Sequence, residues 1–80
     1  MNISEAVALR IKELLLEKNL SLYQFEKQAG LSHETIKSIM KGKAKGVNLK
    51  TLVVIAEGFG MTIYDFLHCD LFLYKNLNLD

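Results

Sequence analysis

His33, Glu34, Lys37, Ser38 and Lys41 fall at offsets of zero, one, four, five and eight, which on a helix is one continuous face. None is a large hydrophobe, and each donates or accepts hydrogen bonds of the kind that base edges and phosphates return. Lysines continue beyond it at Lys43, Lys45 and Lys50, an address that a merely solvated surface does not require. His33, next to Glu34, fits a donor to a base or a phosphate, or a simply solvated side chain, better than a sensor of pH. Covalent chemistry has no comparable constellation. His68, Cys69 and Asp70 are consecutive, so on a helix they point in different directions, and one His with one Cys is too few ligands for a metal. There is no glycine-rich phosphate loop, so neither an enzyme, a cofactor nor a metal is expected.

The elements that position this face are helices. Proline is absent, and the five glycines fall where helical periodicity stops, so they punctuate. Ile3, Val7, Ile11, Leu14 and Leu15 repeat every three or four residues behind the capping-box pair Asn2 and Glu5, predicting a first helix that ends near Asn19. Ser21 and Gln24 have the same spacing and open a short second helix with Leu22, Phe25 and Ala29 on one face, stopped at Gly30. Ser32 caps a third helix whose Ile36, Ile39 and Met40 face inward and which stops at Gly42. Asn48 caps a fourth, with Leu49, Leu52, Val53, Ala56 and Phe59 as its core stripe and Gly58 and Gly60 closing it. Thr62 and Asp65 start a fifth, with Ile63, Phe66 and Leu67 inward. Two short helices joined through Gly30, Leu31 and Ser32 make a helix-turn-helix unit over residues 21–42. Phe25, Ala29, Leu31, Ile36 and Ile39 are the positions that must be apolar for it to pack on the first and fourth helices.

After residue 67 the pattern changes. Leu71, Leu73, Leu77 and Leu79 alternate with period two, as in a strand, and a lone strand needs a second copy of the chain to satisfy its backbone. A helical or frayed end that packs Leu71 and Phe72 on the core is the other expectation, and both stay open. The chain is therefore divided into a helical domain at residues 1–67 and a tail at residues 68–80.

With 80 residues and 9.1 kDa, half of the residues hydrophobic, the chain forms one small domain for which dimerisation would add useful buried surface. Glu5 and Arg10 interrupt any apolar run near Met1, so no signal peptide is expected. With no membrane span in the sequence and a single cysteine, a reducing, cytoplasmic location fits. The net charge of +1 conceals a polarised molecule. Residues 1–26 carry three basic groups against four acidic ones, and residues 51–80 one against four. Residues 27–50 hold six lysines against Glu34 alone, a balance of +5 that coincides with the third helix and the loop after it.

Residues 21–67 resemble the Cro/C1-type (XRE-like) helix-turn-helix family of bacterial and phage regulators. The resemblance rests on Leu20-Ser21, Phe25, Gly30-Leu31-Ser32, Thr35-Ile36, Ile39, Lys41-Gly42-Lys43, Asn48-Leu49-Lys50-Thr51-Leu52, Ile55-Ala56, Phe59-Gly60-Met61-Thr62 and Phe66-Leu67, specific in register though weak singly. It implies an all-α, five-helix, lambda-repressor-like domain that binds double-stranded operator DNA as a homodimer, with the third helix in the major groove. Carried over by position, Ser32, His33, Glu34, Lys37 and Ser38 would face bases. Lys41, Lys43, Lys45 and Asn48 would face phosphates, and Ser21 and Tyr23 would approach the backbone on the other side. The chain departs from the family's pattern in three respects. Leu22 replaces a phosphate-contacting Gln, Glu26 replaces a small Ala at the helix junction, and Leu15 with Met40 replaces a buried Arg–Glu pair, an exchange that is often neutral or stabilising. Glu26 must escape the junction or find a partner.

The expected function is a sequence-specific transcriptional regulator, a repressor, dimerising through Phe66, Leu71, Phe72, Leu73 and Tyr74. Two alternatives keep the fold: an antitoxin that represses its own operon while the tail grips a toxin, and a protein-interaction module that does not touch DNA.

Overall fold

The computed structural model describes residues 1–79. Five α-helices, α1 (Ile3–Lys18), α2 (Leu22–Ala29), α3 (His33–Met40), α4 (Leu49–Gly58) and α5 (Ile63–Leu67), are followed by two 3-10 turns, Asp70–Phe72 and Tyr74–Asn76. Each helix begins where a side-chain oxygen replaces a missing backbone acceptor. Asn2 accepts from the Glu5 amide at 2.7 Å while Glu5 accepts from the Asn2 amide at 2.8 Å, the reciprocal pair expected of that spacing. Ser21 and Gln24 repeat it at 3.1 and 2.9 Å. Ser32, Asn48 and Thr62 cap α3, α4 and α5 through the amides of Thr35, Thr51 and Asp65. Between α2 and α3 the chain turns at Gly30, whose φ of 71° lies in the left-handed region where a side chain would be strained.

The core is built by α1 (Val7, Ile11, Leu14), α2 (Phe25), α3 (Ile36, Ile39), α4 (Ile55, Ala56) with Phe59 at its C-terminal cap, and α5 (Phe66), all buried. Helix α1 packs on α3, and α4 packs on both α2 and α5. Phe25 and Phe59 stack at 4.2 Å with rings 10° from parallel, tying the second helix to the end of the fourth. The face of α4 differs from the expected one, because Leu49 and Val53 are exposed at 67% and 47% while Ile55 is buried. Leu49, Leu52, Val53, Val54, Ile55 and Ala56 are apolar nearly all the way round the helix, so periodicity alone does not select its inner face. Gly58 has a second role beside ending the helix. It is the last residue of α4, where an added Cβ would come within 2.7 Å of the Ala29 Cβ, so it also permits close helix contact.

The tail forms turns, and the described residues contain no strand. Several of its amides are satisfied locally, Leu73 donating to the Asp70 carbonyl and Leu77 to the Tyr74 carbonyl, so these need no second copy of the chain as a strand's would. The Asn78 amide donates to the Met1 carbonyl at 2.7 Å and the Met1 ammonium to the Asn76 carbonyl at 3.1 Å, so the tail lies beside the start of the chain. Phe72 packs on Phe66 with ring centroids 6.1 Å apart, in line with the expectation of a tail packed on the core, while Asp80 lies outside the described residues. Phe66 is fully buried, so it serves the core and is not available as the dimer contact expected of it.

Candidate nucleic-acid interface

The inner side of α3 is fixed by Ile36 and Ile39 and by buried Ser4, whose hydroxyl donates to the Ile39 carbonyl at 3.0 Å from α1. With that side held, His33, Glu34, Lys37, Ser38 and Lys41 are all exposed, the single face that their spacing predicts. Ser32 is exposed as well, but its hydroxyl is held at the cap, accepting from the Thr35 amide and lying 2.9 Å from the Thr35 hydroxyl.

The loop after α3 turns back on the helix, its Gly42 and Lys43 amides donating to the Ile39 and Ser38 carbonyls. Ala44 and Val47 pack against the core from this loop, which leaves Lys43 and Lys45 outward. A groove runs between α3 and the start of α4, lined by Glu34, Ser38, Gly46 and Asn48 among others. Asn48 is exposed at its rim with its Oδ1 in the α4 cap and its amide nitrogen without a partner among the described residues. On the other side of the unit, Ser21 and Tyr23 are exposed at the start of α2, and the Lys27 ammonium sits 4.8 Å above the centre of the Tyr23 ring. Exposure alone thus assembles the expected base-facing and phosphate-facing residues along α3, its loop and the neighbouring helix starts.

Glu26 resolves its place at the junction by pairing with His33, whose Nδ1 lies 3.1 Å from Oε1 and 3.4 Å from Oε2. The carboxylate is largely covered, with 13% of its side chain exposed against 68% for His33. Arg10 is a structural residue that composition does not single out. Its Nε donates to the Phe66 carbonyl at 2.6 Å and Nη2 to the Asp65 carbonyl at 2.9 Å, closing the open end of α5. Leu15 and Met40 are half-buried against the core, as suits an apolar pair. Among the described residues no three His, Cys, Asp or Glu side chains gather as a metal site, and no helix is long and apolar enough to cross a membrane.

Two short helices joined at a left-handed glycine, the second with a polar, lysine-flanked outer face, define a helix-turn-helix DNA-binding domain. Residues 10–70 match the model of the Cro/C1-type HTH DNA-binding domain, and the chain belongs to that family. It is in general terms a DNA-binding transcription regulator, of a family that is typically non-enzymatic. No curated protein matches the chain.

Proposed function

We propose that the chain is a repressor that binds a near-palindromic operator as a homodimer with α3 in the major groove. The observation that carries this reading is the exposed polar face of α3, continued by loop lysines that Ala44 and Val47 hold in place. Glu34, Lys37, Ser38 and His33 meet base edges, with Ser32 at the margin. Lys41, Lys43, Lys45, Asn48, Ser21 and Tyr23 meet phosphates. Residues 1–67 form the DNA-binding unit, and the tail joins two copies through Leu71, Phe72, Leu73 and Tyr74, of which Tyr74 is 82% exposed. Two copies so joined set their third helices about 34 Å apart, one turn of DNA.

The exposure of Leu73 and Tyr74 equally supports an antitoxin-type autorepressor whose tail holds a protein partner. Selection of bound fragments from random DNA, combined with a mass measurement in solution, separates these readings. A dimer that recovers a near-palindrome with half-sites one turn apart is expected. A monomer whose selected sequences have no symmetry contradicts the dimeric repressor, and failure to retain any DNA favours an interaction module of the same fold.

A further inference from the structure

His33 and Glu26 sit where α3 meets α2, and their contact constrains which ring nitrogen carries a proton. An ionised carboxylate only accepts hydrogen bonds, so Nδ1, 3.1 Å from Glu26 Oε1, is the donor. A neutral imidazole has one N–H, and fixing it at Nδ1 leaves Nε2 as a lone-pair acceptor. That second nitrogen has no partner among the described residues, and the His33 side chain is 68% exposed on the outer face of α3. Glu34 beside it and Lys37 one turn on form no hydrogen bond to the ring.

We propose that Glu26 is a positioning residue that makes His33 a hydrogen-bond acceptor toward DNA, so that α3 reads an exocyclic amino group at the base it faces. In the major groove that group is adenine N6 or cytosine N4, whereas guanine presents only acceptors there. The inference rests on the DNA-binding reading above and deepens it. It departs from the expectation of a donor at His33, which took Glu34 as the ring's acidic neighbour. Removing the carboxylate frees the proton to exchange between the two nitrogens, and Nε2 then donates to guanine O6 or N7 as well.

The test compares the wild-type chain with Glu26→Ala, His33→Ala and the double variant at about pH 8.5. Nitrogen NMR of the free proteins is expected to show His33 protonated at Nδ1 in the wild type and at both positions in exchange in Glu26→Ala. In selections from random DNA the wild type should take adenine or cytosine at one position of each half-site. Glu26→Ala should narrow the margin over guanine there by about five- to tenfold. His33→Ala should lose the preference, and adding Glu26→Ala to it should change nothing further at that position. A proton on Nε2 in the wild type, a wild-type preference for guanine, or an effect of Glu26→Ala that persists without His33 would each overturn the inference. A wild type that selects no DNA defeats the DNA-binding reading and this inference with it. Selected DNA with an unchanged position defeats the inference alone. Melting curves of the variants establish that each is folded at the assay temperature.

Discussion

Lys37 and Lys43 carry the same charge and stand six residues apart, yet their surroundings give them different tasks. Lys37 projects from the middle of the α3 face, while Lys43 sits on the loop that turns back over the helix end. Lys37→Ala is expected to relax preference at one base pair and weaken the selected site by about 1 to 3 kcal/mol. Lys43→Ala is expected to weaken all sequences alike and to flatten the salt dependence, both checked by titrating specific and scrambled duplexes. Arg10 makes a prediction of a different kind. Arg10→Ala leaves the Phe66 carbonyl without its donor and the Asp65 carbonyl with the His68 amide alone, and removes the guanidinium 5.8 Å from the Phe66 ring centre. A loss of about 1 to 3 kcal/mol follows, seen as a lower midpoint in thermal unfolding. The caps at Asn2, Ser21, Ser32, Asn48 and Thr62 were legible in the sequence because donor and acceptor lie three residues apart. Arg10, Ser4 and the Glu26–His33 pair were not, since their partners lie 56, 35 and 7 residues away and are brought near only by packing.

At the scale of elements, the helix-turn-helix unit depends on how closely α2 approaches α4. At Gly58 that approach leaves no space for a methyl group, because a Cβ would meet the Ala29 Cβ at 2.7 Å and the Phe25 ring at 3.0 Å. Alanine is ordinarily favoured over glycine within a helix by about 1 kcal/mol. Here Gly58→Ala is expected to destabilise by about 1 to 3 kcal/mol, since overpacking outweighs the gain in propensity. A raised midpoint in thermal or urea unfolding would contradict the close contact. The boundaries of all five helices follow from local signals, whereas the inner face of α4 does not, because an apolar residue at nearly every position from Leu49 to Ala56 erases the periodic signal. The tail shows the opposite failure. Its leucines alternate clearly, but short-range bonds such as Leu73 to Asp70 and Leu77 to Tyr74 close it into 3-10 turns.

For the molecule as a whole, the near-neutral total and the polarised distribution have different consequences. Six lysines against one glutamate in residues 27–50 gather positive charge around α3 and its loop, while the rest of the chain is acidic on balance. Such a distribution orients the domain on a polyanion and limits indiscriminate attachment through other faces. Lys41, Lys43 and Lys45 on each of two copies make six phosphate contacts in the proposed complex, three per protomer. Each contact releases counterions and contributes roughly −0.9 to the slope of log K against log salt. The most direct measurement is the affinity of the chain for its selected duplex across a salt series. A linear fall with a slope of about −5 is expected. A flat dependence, or no DNA retained at low salt, would contradict it.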